Sequence, residues 1–84
     1  MWTKSEAMNV LQKLEILTRH GVFYRITNLV ISGLDANNQP TYRPEHHITL
    51  GVRGHELFLA MENSLSKAVN TAFQWACDNN LVQL

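Results

Sequence analysis

The sequence predicts an α+β domain: a three-stranded antiparallel sheet with two helices packed on one face, in the order α-β-β-β-α. Apolar residues recur at helical spacing before Gly21 and again after Ser64. Between them β-branched and aromatic residues alternate with polar ones, and two turn signals divide that stretch into three. A chain of 84 residues sustains one core, so residues 1–84 are read as a single domain.

Thr3-Lys4-Ser5-Glu6 has the form of a capping box, in which a hydroxyl and a carboxylate satisfy the free N–H groups of a helix start. Ala7, Val10, Leu11, Leu14 and Leu17 then form an apolar stripe, and Gly21 supplies a left-handed C-terminal residue, so the first helix is expected over about residues 4–20. Residues 22–33 read as a strand with Val22, Tyr24 and Ile26 on one face and Phe23, Arg25 and Thr27 on the other. The apolar phase slips at residues 28–31, which predicts burial of both faces or a bulge.

Asp35, Asn37 and Asn38 mark a turn over residues 34–40. The second strand follows over 41–52, with Ile48, Leu50 and Val52 on its core face and regular pairing expected only after Pro44, which has no N–H to give. Arg53-Gly54 is a tight turn into a third strand over 55–61, expected to turn Leu57, Leu59 and Met61 to the core and Phe58 away from it. Ser64 caps the last helix, whose Leu65, Ala68, Val69, Ala72 and Ala76 make a narrow stripe of small side chains that lets it lie close to the sheet. Asn79 and Asn80 end it.

Composition narrows the function. Apolar residues make up 45% and charged ones 17%, the balance of an ordered globular chain. Seven basic residues offset seven acidic ones, so the general attraction to nucleic acid is missing from the net charge. One cysteine, Cys77, forms no intrachain disulfide; with no signal-like or membrane-length apolar run, the chain is expected to be soluble and cytoplasmic.

No chemistry-bearing pattern emerges. His46 and His47 are adjacent on a strand and point to opposite faces, His20 and His55 lie at loop edges, and no ligand spacing links them, so neither a metal site nor a cofactor is expected. Cys77 lies late in a helix, away from any base or helix N-terminus, and reads as a small hydrophobe. Glu45 beside His46 lacks a nucleophile or oxyanion donors to serve. The chain is read as a non-enzyme.

Trp2, Ile16, Phe58, Phe73 and Trp75 are too many large apolar side chains for one small sheet to cover. Phe58, Phe73 and Trp75 are therefore the expected partner-binding residues, toward another protein or a second copy of the chain.

Two likenesses bear on this reading. Pro44-Glu45-His46 resembles the G-P-x-H loop of the double-stranded RNA-binding domain, with Arg43 where that family has glycine. Residues 66–76 resemble the start of its last helix, where alanines pack on the sheet. The lysines of the family's K-K-x-A-K motif correspond here to Leu65, Ser66 and Val69, leaving Lys67 as the nearby cation. The resemblance implies the α-β-β-β-α layout and an alternative nucleic-acid-binding set of Arg43, Pro44, His46 and Lys67. In size, balanced charge and surplus aromatics the chain also looks like small phage-encoded inhibitors such as anti-CRISPR proteins, which implies a regulator or inhibitor that occupies a surface of a larger protein.

Overall fold

A computed structural model describes residues 8–84, and its elements run α1 (Val10–Arg19), β1 (Phe23–Leu34), β2 (Pro40–Val52), β3 (His55–Glu62) and α2 (Leu65–Asp78). The strands form one antiparallel sheet in the order β1-β2-β3, each pair joined by a short turn. The expected α-β-β-β-α class is the observed one.

Helix α1 starts later than the periodicity predicts. Asn9 is its N-cap, in an extended conformation (φ −81°, ψ 174°) that no residue inside a helix adopts. The Asn9 side chain accepts from the Gln12 backbone N–H, and the Gln12 side chain accepts from the Asn9 N–H, both at 2.9 Å. This capping box sets the start at Val10; the Thr3 box, Trp2 and Ala7 lie outside the described residues. At the other end Gly21 (φ 77°) donates to the Thr18 carbonyl and Val22 to the Leu17 carbonyl. The chain thus leaves α1 through a Schellman turn that delivers Val22, fully buried, to the head of β1. The buried face of α1 is Lys13, Leu14 and Leu17, with Ile16 packed against it, whereas Leu11 of the expected stripe is 72% exposed.

β1 and β2 pair without interruption from Phe23↔Gly51 to Leu34↔Pro40. The loss of phase at residues 28–31 is therefore neither a bulge nor double burial. β3 pairs with β2 only from His46↔Glu62 onward, so the rows from Leu29↔Glu45 to Leu34↔Pro40 form a two-stranded arm that overhangs the rest of the sheet. Pro44 pairs with Val30 inside this arm, contrary to the expectation that pairing waits until after it. A proline is tolerated in the middle strand here because β2 has a neighbour on one side only at that level. At the tip, Asp35 accepts from the backbone N–H groups of Asn37 (2.8 Å) and Gln39 (2.9 Å), and Asn38 takes the left-handed conformation.

The β2–β3 hairpin closes through Arg53 (φ 54°) and Gly54 (φ 81°), two left-handed residues in succession, as a two-residue turn of the I′ kind requires. The register then shifts: Leu50 faces Phe58 while Gly51 faces Glu56, leaving Leu57 as an extra residue in β3. Phe58 and Ala60 consequently point to the core, and Leu57, Leu59 and Met61 point away, the reverse of the sequence expectation. Residues 57–61 are all apolar and carry no period-two signal; the bulge decides their phase.

Both helices lie on one face. Ala68, Val69, Ala72, Phe73 and Ala76 of α2 bury against Ile48, Leu50 and Ala60, and Leu14 and Leu17 of α1 complete the cluster with Val22 and Val82. Ser64 caps α2 by accepting from the Lys67 N–H at 3.1 Å. Asn80 (φ 60°) ends it, with Asn80 donating to the Cys77 carbonyl and Leu81 to the Ala76 carbonyl. Lys13 crosses between the helices: its Nζ donates to Asn70 Oδ1 at 2.6 Å and lies 5.7 Å from the Phe73 ring centroid.

Gly51 is where the bulge, the hairpin and β1 meet. A β-carbon there would collide with the Phe23 ring and sit 2.5 Å from the His55 carbonyl oxygen, and that oxygen cannot swing aside. Gly51→Ala is expected to lower unfolding free energy by roughly 1–3 kcal/mol, read by urea denaturation; an unchanged midpoint would mean that the crossing is looser than described.

Candidate functional site

The inverted phase of β3 determines what the molecule presents. With both helices on one side, no described residues form a layer over the other face of the sheet, and the side chains aimed there include Phe23, Arg25, Thr27 and Leu29 from β1, Glu45, His47 and Thr49 from β2, and Leu57, Leu59 and Met61 from β3. Leu57, Leu59 and Met61 are 48%, 53% and 59% exposed, and Phe23 and Leu29 are exposed on the same face from β1. Isolated apolar residues at a surface are ordinary; three in succession along one strand of an open face are not.

The charges of this face are paired within it. Arg25 on β1 reaches across the middle strand to Glu56 on β3, Nη2 to Oε1 at 2.9 Å, and Thr49 is buried in their vicinity despite being on the open side. Together with Thr27, His47 and Leu59, these residues border a shallow depression. Glu45 accepts from His47 Nε2 at 2.6 Å and lies 3.8 Å from Arg43. The Arg25–Glu56 pair is largely solvated and worth at most about 1 kcal/mol, whereas Glu45 and His47 are mostly covered. The effect of these pairs on the surface is larger: they leave the apolar side chains as its distinguishing feature.

The residues singled out from sequence are distributed differently. Phe73 is fully buried at the centre of the core and presents no surface. Phe58 and Trp75 meet on the helix side of the sheet, rings parallel within 8° and centroids 4.7 Å apart. The surplus aromatics thus largely cover one another, a stacked pair worth about 0.5–1.5 kcal/mol beyond its buried area. Arg43, Pro44 and Lys67 do come together, lining a notch where β3 ends, but Glu45, Met61, Glu62 and Asn63 line it with them, so its charge is balanced. His46 is turned elsewhere, its Nδ1 2.6 Å from Asn28 Oδ1. Pro44, Glu45 and His46 lie within β2 and not in a loop.

Sequence reasoning missed Leu57, Leu59 and Met61 as surface residues, whereas Phe23 lies on the outward face it was assigned. One signal pointed to them: a helix whose inner stripe is alanine approaches its sheet closely, and of residues 57–61 only Ala60 is small enough to sit beneath it. Ala60 inward forces Leu59 and Met61 outward.

Among the described residues no three His, Cys, Asp or Glu side chains gather into a metal-binding group, and no helix is long and apolar enough to cross a membrane. His20 donates through Nδ1 to the Ile16 carbonyl at 2.8 Å, closing the end of α1. Cys77 packs partly against the core; burial, assisted by the neighbouring Asp78 carboxylate, pushes its thiol up, while Lys13 opposes the shift. Comparison with protein-family models, characterised proteins and solved structures returns no match.

Two measurements test this geometry. Phe58→Ala is expected to cost about 2–3 kcal/mol in thermal or denaturant unfolding, because it removes one ring of a stack that closes the core; a cost below 0.5 kcal/mol would return Phe58 to the surface. Burial and the Asp78 carboxylate shift the Cys77 thiol upward from its ordinary value. Its alkylation rate should therefore lag a free thiol's at neutral pH and rise at higher pH, and a thiol that is fast near neutrality would contradict the burial.

Proposed function

We propose that the protein is a non-enzymatic interaction protein, a regulator or inhibitor that works by laying the open face of its sheet on a larger protein, in the manner of small phage-encoded inhibitors. The observation that carries this reading is the uncovered face itself. A domain of two layers has its core on the helix side, and nothing in the fold requires leucine, methionine and phenylalanine on the other side. Leucine at positions 57 and 59, methionine at 61 and phenylalanine at 23 supply flat, adaptable apolar area, and Met in particular adjusts to irregular partner surfaces. Because Arg25 and Glu56 neutralise each other in place, a partner can cover them without bringing a compensating charge. Phe58 and Trp75 support the face from behind, holding β3 against α2, and Trp75 keeps part of its ring accessible at the margin.

The experiment is affinity capture from a native host extract, with the captured protein then purified and titrated directly against wild-type protein and a Leu57→Ser, Leu59→Ser variant. Both positions are half exposed, so the variant should keep the wild-type circular dichroism and lose binding by roughly tenfold or more. Undiminished affinity in the folded variant would remove the open face from the mechanism. A fluorescence titration with duplex RNA accompanies it: tight binding that weakens steeply with salt and depends on Arg43 and Lys67 would replace this reading with nucleic-acid recognition.

A further inference from the structure

Apart from the open face, the sheet has a free edge, and that edge is unusual. β1 runs for 12 residues, and among the described residues no strand lies beyond it. Its sequence, FYRITNLVISGL, contains no proline, no lysine and a single charge, Arg25, and its register with β2 is unbroken. Edge strands of stable monomers are ordinarily short, bulged, proline-bearing or charged, since a regular edge offers its unpaired N–H and C=O groups to any other strand.

The distal half of β1 belongs to the two-stranded arm, about 20 Å of ribbon with no helix behind it. A lone two-stranded ribbon is marginal in water. This one also carries apolar side chains on the same side as the helices: Val30, Leu34 and, paired with Ser32, Tyr42, of which Val30 is 69% exposed. The arm stretches the molecule to 49 × 36 × 18 Å and its radius of gyration to 15.3 Å, against about 12 Å for a compact chain of this length.

The complement to this arm lies on the same molecule. Beside the proximal half of β1, a groove runs along α1, lined by Leu11, Leu14, Thr18 and Tyr24. Its floor is apolar and its outer wall is the Glu15–Arg19 ion pair, whose charges offset each other; it borders the free edge on the helix side of the sheet, and the arm of its own chain extends away from it.

We propose that two copies of the chain pair antiparallel through β1, with the two-fold axis near Asn28, so that each arm lies along the proximal β1 of its partner and places its apolar side in the partner's α1 groove. In this register Ile26 faces Val30, Thr27 faces Leu29 and Arg25 faces Ile31 of the other copy. No like charges are opposed, because β1 has only one charge. Tyr24 faces Ser32, which brings Tyr42, in the next strand, toward Leu11. Each arm gains a third strand, and the two sheets become one of six strands whose outer edges are the shorter β3 strands. The contact is isologous, the same patch meeting itself. It leaves the open face described above unoccupied, so the dimer and the partner surface stand or fall separately.

Sedimentation of the wild-type protein across a concentration series tests the dimer, with a particle of two chains expected at micromolar concentration. Val30→Lys should convert it to a single chain with unchanged circular dichroism, whereas Leu57→Ser, Leu59→Ser should remain two chains. Register is read separately: Asn28→Cys in a Cys77→Ala background should yield a disulfide-linked dimer on mild oxidation, because equivalent residues at the axis come within disulfide reach. Wild-type protein that stays a single chain throughout, a dimer that survives Val30→Lys, or a dimer in which Asn28→Cys fails to cross-link would each overturn the proposal. So would a dimer dissolved by the Leu57, Leu59 variant instead, since that places self-association on the open face.

Discussion

Everything in this fold follows from how closely α2 lies on the sheet. Ala68, Ala72 and Ala76 give that helix a flat inner stripe, and Ile48, Leu50 and Ala60 rise to meet it. The one large side chain in the stripe, Phe73, fills the space between α2 and α1, where Lys13 lays its stem and amine over the ring. Packing this tight uses one face of the three-stranded part of the sheet. With its apolar residues spent this way, the described chain leaves the other side of its sheet bare.

The close contact also fixes the phase of β3. Were Leu59 or Met61 under the helix, α2 would be lifted off the sheet, and Val69 and Phe73 would lose their neighbours. The bulge beside Gly51 and the two-residue turn at Arg53-Gly54 are the means by which the correct residues are brought inward. A single inserted residue in β3 therefore decides which of two apolar sets becomes core and which becomes surface.

Much of this was legible in the sequence. Gly21, Ser64, Asn80 and the Arg53-Gly54 pair each dictate a backbone conformation through local chemistry, and all four act where expected. The alanine stripe of α2 likewise predicted its face. The start of α1 was misplaced because Thr3-x-x-Glu6 and Asn9-x-x-Gln12 are both credible capping boxes within one continuous apolar period. The face of β3 was misplaced because five consecutive apolar residues have no alternation to read. The aromatic partner site was drawn from a count of side chains that one layer appeared unable to cover; Phe58 and Trp75 answer it by stacking on each other, an arrangement that depends on positions brought together only by the fold.

Zero net charge describes the chain in sum, and at three arginines ion pairs make it true locally. Arg19 is held by Glu15, Arg25 by Glu56 and Arg43 by Glu45, each within 4 Å, so at these three arginines positive and negative charge cancel over distances shorter than the screening length of physiological salt. A surface of small closed dipoles projects little field into solution. Encounter with any other molecule is then governed by diffusion and fit without electrostatic steering, at rates of about 10⁵–10⁶ M⁻¹s⁻¹ that hardly respond to ionic strength. For such a protein, affinity is set by how slowly complexes come apart.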